Sequence, residues 1–342
     1  MDLSAYLAAK LQAQLLAPGS HFSVYALAAG FLLGFSYLAW SRKRRRGHVG
    51  LKPLARAFLS RRLLTHRSTR ADILYFFVNV FVTVFLIGWA CLTSVEVVDA
   101  VQDALTGAFG ARTATAAPEW AARGLVTLVV FLAMEFGYWL DHYLKHRIPV
   151  LWETHKTHHT AERLTPFTVW RVHPLDSLLF SNIVALSVGL ALGATRYALG
   201  GTPESFSVAG TNILVAAFFY TFANLQHSEV WLPLRGLPGR LLMSPAHHQL
   251  HHSINPAHYN SNLGNCLALF DWLFGTLILP ERESPRLTFG VLEKEADPHA
   301  LTELFLAPFG NVVRALAPAR GARQAATPPM NSAAPSSVET SA

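Results

Sequence analysis

The chain has 342 residues, of which 51% are hydrophobic and only 14% are charged. Because about a quarter of the residues of a soluble globular protein are charged, this composition argues against a soluble enzyme and favours a polytopic membrane protein. The net charge of +7 is concentrated near the N-terminus, which points to an anionic membrane surface rather than to nucleic acid. The two cysteines, Cys91 and Cys266, are far apart, so neither a disulfide framework nor a thiolate metal site is expected.

The N-terminal part of the chain predicts one membrane span and a basic cytoplasmic loop. Residues 1–20 form a weakly amphipathic lead that can lie on the membrane surface. Residues 22–40 are apolar and long enough to span a bilayer. The dense Lys and Arg residues from Arg42 to Arg70 place the next loop in the cytoplasm by the positive-inside rule. The N-terminus is therefore expected on the outer side.

Two further spans are expected before the first histidine motif. Residues 73–93 are predicted to return outward, residues 96–120 to form an outer loop poor in Lys and Arg, and residues 124–140 to cross back. Glu135 lies near the inner end of the third span. Its carboxylate is expected either to reach the interface or to pair with the second nitrogen of a histidine.

The remaining apolar runs follow the second histidine motif. Residues 175–199 and 208–223 predict a hairpin that crosses outward and back, which puts every clustered histidine in the cytoplasm if both arms span. Residues 267–279 are too short to span and are expected at the interface or against the site. From residue 318 onward the chain is rich in Ala, Pro and Ser and predicts a disordered tail.

Histidines recur at helical spacing in three motifs. These motifs are HYLKH from His142 to His146, HKTHH from His155 to His159, and HHQLHH from His247 to His252. Residues three and four apart share a helix face, so the three histidines of a triad can all point at one centre. Pro149 breaks the helix after the first motif, and Ser244 with Pro245 starts a helix at the third.

So many clustered histidines indicate metal binding. Protonated imidazoles would repel one another and unpartnered neutral ones would be costly to bury, whereas a bound cation resolves both problems. Eight or more histidines exceed the four ligands of a usual zinc site and indicate two ions. Imidazole suits iron, copper or zinc, so the ligands alone leave the metal open. A site that opens toward apolar helices favours iron with O2, which can attack a lipid C–H bond.

The motifs and their surroundings resemble the fatty acid hydroxylase/sterol desaturase superfamily of integral-membrane di-iron oxygenases. The resemblance covers roughly residues 70–280, and its motif context is closest to bacterial sterol-desaturase-like proteins and alkylglycerol monooxygenase. Further matching segments are Leu151-Trp152-Glu153-Thr154-His155, Arg171-Val172-His173-Pro174, Gln226-His227, Ser244-Pro245, Asn262-Leu263-Gly264 and Phe270 to Thr276. Tyr143 stands where family members often carry an arginine in the first motif, which leaves the ligands unchanged.

The resemblance implies an all-α, polytopic membrane helical bundle of about four to five spans, capped by a cytoplasmic histidine-rich metal site. It implies two ferrous ions (Fe²⁺) and O2 as co-substrate, which hydroxylate or desaturate a fatty acyl, sterol-like or ether lipid. Electrons are expected from a separate reductase system, because the chain lacks a flavin, nicotinamide, haem or iron–sulfur motif. The bacterial inner membrane and the endoplasmic reticulum fit equally well, and no nucleic-acid partner is expected.

Carried over residue by residue, the resemblance implies nine histidines that are both catalytic and metal-binding. They are His142, His146, His155, His158, His159, His227, His248, His251 and His252. His247 and His258 are further candidates, and His173 is expected to support a ligand from outside. Asp271 is expected to cap a helix or to orient a ligand histidine rather than to bind metal. Four isolated histidines are expected to face solvent or lipid headgroups, namely His21, His48, His66 and His299.

The expected organisation has four parts. These are an N-terminal helix, first span and basic loop (1–71), a hydroxylase/desaturase-like catalytic domain (72–285), a C-terminal segment (286–317) and the tail (318–342). An alternative function is a histidine-rich membrane metal carrier or sensor, which would need ionisable residues along spans that carry few besides Glu135 and Arg196. A zinc hydrolase would need an HExxH motif or paired carboxylates, which the sequence lacks.

Overall fold

A computed structural model describes residues 2–48, 50, 58, 60–293 and 297–316. The predicted disordered tail and part of the basic loop, residues 51–57, lie outside the described residues. The α-helices are α1 (Leu3–Leu15), α2 (Val24–Arg46), α3 (Arg61–Leu64), α4 (Arg67–Val78), α5 (Val84–Ile87), α6 (Ser94–Phe109), α7 (Glu119–Arg147), α8 (Pro149–His159), α9 (Pro174–Leu199), α10 (Ile213–Phe218), α11 (Asn224–Gln226), α12 (Gly236–Leu241), α13 (Pro245–His251), α14 (Leu269–Phe274), α15 (Leu301–Phe305) and α16 (Ala307–Leu316).

Short irregular elements connect these helices. Two π-helical turns, Asn79–Thr83 and Phe219–Ala223, continue α4 and α10. The 3-10 turns are Gly88–Ala90, Pro166–Trp170 and Pro256–His258. One antiparallel pair of strands, β1 (Ser207–Val208) and β2 (Thr211–Asn212), precedes α10. The expected all-α architecture is confirmed.

The helices α7 and α9 form the central packed pair. The hydroxyl of Ser187 on α9 donates to the carbonyl of Ala133 on α7, with 2.6 Å between the oxygens. Gly137 permits this approach, because a Cβ there would lie 3.0 Å from the Cβ of Ser187. The C-terminal end of α7 and the N-terminal end of α9 therefore lie at the same end of the bundle, where the histidine motifs begin.

Four helices are long and apolar enough to cross a membrane, as judged from length and composition among the described residues. They are Val24–Arg45, Phe85–Phe109, Glu119–Arg147 and Pro174–Leu199. This agrees with the predicted integral membrane protein of about four to five spans. The expected return arm at residues 208–223 is instead a strand pair and the shorter helical run Ile213–Gln226. At 1.5 Å per residue this run is about 20 Å long, and it leads back from the far end of α9 to His227 among the clustered histidines. The helical part of the return arm is therefore shorter than predicted.

The predicted outer loop at residues 96–120 is also wrong over its first half, which forms α6. Thr93 caps this helix, since its Oγ accepts from the N–H of Glu96 while the Glu96 carboxylate accepts from the N–H of Thr93. Of the acidic residues that suggested a loop, Glu96 forms part of this cap, and Asp99 and Asp103 are exposed. The opposite face packs on α9, where Val97 lies against Gly189. The membrane-crossing stretch thus ends at Phe109 rather than at residue 93.

Close packing of α6 on α9 predicts that Gly189→Ala destabilises the protein. A Cβ at Gly189 would lie 2.4 Å from the Cβ of Val97, so one helix must move, at a cost of about 1–3 kcal/mol. Gly124→Ala is the matched control, because a Cβ at that helical glycine meets nothing within 4 Å. Thermal unfolding in detergent should show a lower midpoint for Gly189→Ala and an unchanged or higher one for Gly124→Ala. Equal midpoints would contradict this packing.

The described C-terminal part of the basic segment, at Arg67, lies at the same end of the bundle as the histidines. Arg171, which follows the second histidine motif, pairs with Asp72 of α4 at 2.9 Å, and both side chains are fully buried. Arg67 of the same helix pairs with Asp297. The hydroxyl of Tyr75 donates to the carbonyl of Leu304 at 2.7 Å, which fixes α15 against α4.

Candidate metal centre

Four structural elements deliver the clustered histidines. The last turns of α7 carry His142 and His146 one helical turn apart. Ile148 is extended, with φ −105° and ψ 112°, and α8 begins at Pro149, so the chain turns sharply between the two helices. The third motif starts α13 behind the Ser244 cap. His227 follows directly after α11.

All nine expected histidines come together, and they divide into two groups. The five-histidine group consists of His142, His146, His155, His159 and His251. The four-histidine group consists of His158, His227, His248 and His252. Within each group one nitrogen from every ring lies within 4.8 Å of the others, so each group can hold one metal ion. His146 is half-buried and the other eight are buried.

The expectation that each triad points at one centre is wrong, because both triads are split between the groups. On α8, His155 and His159 join the five-histidine group, whereas His158 joins the other. Residues four apart differ by about 40° around a helix, but adjacent residues differ by about 100°. His158 and His159 therefore face different centres. The third motif repeats the division, since His248 and His252 stay together.

The four-histidine group has the nitrogen spacing of a metal site. The Nε2 of His227 lies 3.2 Å from that of His158 and 2.9 Å from that of His248. The Nε2 of His252 lies 3.1 Å from that of His248. Metal–nitrogen bonds of about 2.0–2.1 Å at angles of 90–109° separate two ligand nitrogens by about 2.8–3.4 Å. The four rings fit a single cation placed between them.

In the five-histidine group, backbone and carboxylate oxygens fix the outer ring nitrogens. The Nδ1 of His142 lies 2.7 Å from the carbonyl of Leu263, and that of His251 lies 2.9 Å from the carbonyl of Ser261. Because a carbonyl only accepts, each Nδ1 carries the proton and leaves the Nε2 lone pair free. The Nε2 atoms of all five rings are buried and have no hydrogen-bond partner among the described residues. A cation is the partner that suits these lone pairs.

Burial keeps the histidines beyond the spans neutral. The pKa of His227 and that of His251 are each lowered to about 3, and burial is the main cause. Burial, followed by the charge of neighbouring imidazoles, holds the pKa of His158 and of His248 well below the usual value. For His155 burial lowers the pKa, while the Asp176 carboxylate opposes it. Neutral rings present the lone pairs that metal binding requires.

Comparison with known proteins identifies this region. Residues 127–276 match the fatty acid hydroxylase family. Residues 127–276 are therefore a fatty acid hydroxylase-like domain. All nine histidines of the two groups lie within it, and its relatives include a lipid hydroxylase and a sterol desaturase.

The relatives of this domain are lipid enzymes by name. Alkylglycerol monooxygenase of Xenopus tropicalis is 28% identical over 158 residues, which are 45% of this chain and 31% of the relative. Ornithine lipid hydroxylase OlsE of Rhizobium tropici is 33% identical over 168 residues, 48% and 45% of the two chains. Delta(7)-sterol-C5(6)-desaturase of Nicotiana tabacum is 27% identical over 176 residues, 49% and 55% of the two chains. The matched part of the chain thus spans 31% to 55% of these relatives. No solved structure matches.

The hydroxylase domain contains a buried charge network that the sequence analysis missed. Lys145 donates to Asp141 and to Asp176, with 2.5 Å between nitrogen and oxygen in each pair. The second oxygen of Asp176 lies 2.8 Å from the Nδ1 of His155. All of these side chains are nearly inaccessible. Two features of the sequence could have revealed this network. One is a lysine between two ligand histidines, and the other is an aspartate in the first turn of an apolar span.

The remaining candidate histidines of the hydroxylase domain lie outside both groups. The Nδ1 of His173 accepts from the N–H of Leu175 at 3.2 Å and so caps α9, and its Nε2 donates to the carbonyl of Phe305. Neither of these hydrogen bonds of His173 reaches a clustered histidine. The Nδ1 of His247 lies 2.7 Å from the Ser244 hydroxyl in a capping box. His258 belongs to neither group.

Two buried acidic residues bind backbone N–H groups, and for Glu135 this differs from expectation. Glu135 neither reaches the interface nor pairs with a histidine, since its carboxylate accepts from the N–H groups of Cys266 and Leu267 at 2.7 and 2.8 Å. Asp271 accepts from the N–H of Leu263 and of Gly264, at 2.8 Å each. Burial, partly opposed by these hydrogen bonds, raises the pKa of Asp271 to about 6.

Two of the isolated histidines were expected at the surface but contact other side chains instead. His21 stacks on Trp170 with ring centroids 5.2 Å apart, and burial lowers its pKa to about 4. The Nδ1 of His299 accepts from the guanidinium of Arg171 at 2.8 Å. Sequence neighbours gave no sign of either contact, because both partners are more than a hundred residues away. His48 is exposed.

Proposed function

We propose that this protein is a membrane-bound, iron-dependent oxygenase that uses O2 to hydroxylate or desaturate a lipid. The observation that carries this proposal is the pair of buried histidine groups inside a fatty acid hydroxylase domain. The names of the relatives, an alkylglycerol monooxygenase and an ornithine lipid hydroxylase, support a lipid substrate. The catalytic metal ligands are the nine histidines of the five-histidine and four-histidine groups.

The donor set supports two iron ions. Nine imidazoles exceed the shell of a single ion, and the division into five and four gives each ion its own set. Imidazole is a good ligand for iron, and the hydroxylase family supports iron over zinc. When bound, the two Fe²⁺ ions supply the activation of O2 needed to remove hydrogen from an alkyl carbon.

The chain itself orients the ligands and limits water at the centre. Asp176 holds the proton on the Nδ1 of His155, so that the Nε2 faces inward. Lys145 balances the carboxylates of Asp141 and Asp176 in this dry environment. Trp152 packs against the rings of His146 and His159, with centroids 5.1 and 5.2 Å apart. The apolar span α7 ends and the apolar span α9 begins at this centre, where a lipid chain can approach.

We place the metal centre on the cytoplasmic face. The described C-terminal part of the basic segment lies at the histidine end of the bundle, where Arg67 pairs with Asp297. Such residues accumulate on the cytoplasmic side of membrane proteins. A separate reductase there delivers the electrons, because the chain carries no nicotinamide or flavin motif. The catalytic domain comprises residues 72–285, preceded by residues 1–71 and followed by residues 286–317.

Lipid profiling of host cells tests the proposed function. Cells that produce the protein are compared with cells that produce His158→Ala and with cells that produce neither. A lipid that gains one oxygen atom or loses two hydrogen atoms only with the wild-type protein is the expected result. Identical lipid profiles, although the wild-type protein contains iron, would contradict the proposal. A changed metal content of the cells with unchanged lipids would favour the metal carrier instead.

A further inference from the structure

An irregular segment, residues 261–267, lies against the five-histidine group and orients two of its rings. The carbonyl of Ser261 accepts from the Nδ1 of His251, and the carbonyl of Leu263 accepts from the Nδ1 of His142. These contacts decide which nitrogen of each ring faces the centre. The position of this segment therefore controls two of the five candidate ligands.

Asp271 fixes the middle of the segment. Its carboxylate is completely buried, and its two oxygens each accept one backbone N–H, from Leu263 and from Gly264, at 2.8 Å. The hydroxyl of Thr276 donates to the same carboxylate at 2.6 Å. The peptide that gives its carbonyl to His142 is thus held from its N–H side by Asp271.

Glu135 fixes the end of the segment to α7. It lies seven residues before His142 and so on the same face of that helix. Its buried carboxylate accepts from the N–H groups of Cys266 and Leu267 and from the Asn265 amide. The helix that carries His142 and His146 therefore binds the segment at two points, through hydrogen bonds of Glu135 and of His142 itself.

The backbone of the segment is closely packed around Gly264. A Cβ at Gly264 would lie 2.1 Å from the carbonyl oxygen of Leu267. Asn262 is left-handed, with φ 54°, and its amide donates to the carbonyls of His247 and Ile278. A side chain at position 264 would therefore distort the backbone of the segment.

We infer that Asp271 and Glu135 are positioning residues for the metal ion of the five-histidine group, acting through the carbonyls of residues 261 and 263. This inference rests on the proposed function, because it concerns the metal of the same centre. Neither carboxylate touches a histidine ring. Among the described residues, no hydrogen bond joins this segment to a ring of the four-histidine group. In the described part of the chain, the segment reaches the four-histidine group only through the Gln226 side chain and the His247 backbone, so loss of either carboxylate should weaken the ion of the five-histidine group first.

Metal titration of Asp271→Asn tests the inference. The full-length protein is purified in detergent, loaded with Co²⁺, and titrated with a competing chelator while the visible absorption of each bound ion is followed. The wild-type protein is expected to bind two ions. In Asp271→Asn one ion should bind about 10–100-fold more weakly with an altered spectrum, while the other keeps its wild-type affinity. Glu135→Gln should weaken the same ion.

A second substitution shows which group is affected. His158→Ala is expected to leave only the ion of the five-histidine group. Adding Asp271→Asn in this background should weaken the ion that remains. Gly264→Ala should displace the segment through its added Cβ and should weaken the same ion selectively. This variant tests the inference independently if Asp271→Asn does not fold.

Asp72→Asn is the matched control. Asp72 is also fully buried, but it pairs with Arg171 and accepts from Thr168, not from the segment. It should retain both ions at wild-type affinity. The inference would be overturned if folded Asp271→Asn bound both ions with wild-type affinity, or if both affinities fell equally. Loss of metal from Asp72→Asn would overturn it as well. A wild-type protein that binds fewer than two ions would contradict the proposed function instead, so the two failures are distinguishable.

Discussion

Replacing His158 with alanine is expected to abolish lipid oxidation. His158 belongs to the four-histidine group, and its Nε2 lies 3.2 Å from that of His227. Loss of a partner that only orients a ligand typically costs 10–100-fold in metal affinity or activity, so loss of a ligand should cost at least about 100-fold. The measurements are the lipid product and the metal content of the purified chain, which should fall from about two ions to one, as inferred from the two groups.

His247→Gln is the control for this substitution. His247 is a buried histidine of the same motif, but it belongs to neither group and serves the Ser244 capping box. Glutamine preserves that role at the third helical position, so activity and metal content should remain. Both variants should enter the membrane, because insertion depends on the apolar spans. Failure of His158→Ala alone to insert would show that the cluster is structural, and equal loss of activity in both variants would contradict the ligand assignment.

Replacing Lys145 with methionine is expected to destabilise the protein by about 3–5 kcal/mol. Lys145 lies 2.5 Å from both Asp141 and Asp176, and about 2% of its side chain is accessible. Methionine keeps the length of the side chain but leaves two buried carboxylates without a counter-charge. The hydrogen bond from His155 to Asp176 is then disturbed as well. Thermal or denaturant unfolding in detergent measures the loss.

Arg163→Met is the matched control for Lys145→Met. Arg163 pairs with Glu229 at 3.2 Å, but 51% of its side chain is exposed. Exposed pairs contribute about 0–1 kcal/mol, so this variant should unfold almost as the wild type does. A similar unfolding midpoint for the two variants would show that the buried network does not stabilise the hydroxylase domain.

The sequence predicted the candidate ligands because their contacts are mostly local. His142 with His146, and His155 with His159, are four residues apart on a helix, and that spacing is visible in the sequence. The division into two groups was not predictable, since it depends on how α8 and α13 are rotated toward each other. Only packing sets that rotation, and it sends His158 and His159 to different centres.

The supporting residues were harder to find than the ligands. Lys145 and Asp176 are separated by 31 positions, and their contact depends on the pairing of α7 with α9. The role of Leu263 comes from its backbone carbonyl, which has no signature in its side chain. A buried carboxylate such as Asp271 signals an important contact, but its partners are N–H groups of the backbone.

The errors in the predicted spans have a common physical cause. Charged residues suggested an outer loop at residues 96–120, yet Glu96 caps α6, and Val97 packs on Gly189. Apolar composition suggested one arm over residues 208–223, but a strand pair takes up its first part and the helix begins only at Ile213. Hydropathy averages over a window, whereas caps and turns act at single residues.

The most direct test of the proposed oxygenase is the fate of O2 itself. Membranes that contain the iron-loaded protein are given a reductase, its electron source and heavy-isotope O2, and their lipids are analysed by mass spectrometry. The account predicts a lipid that carries one labelled oxygen atom or lacks two hydrogen atoms, and that is absent with His158→Ala. Unchanged lipids with both histidine groups filled with iron and electrons supplied would contradict it.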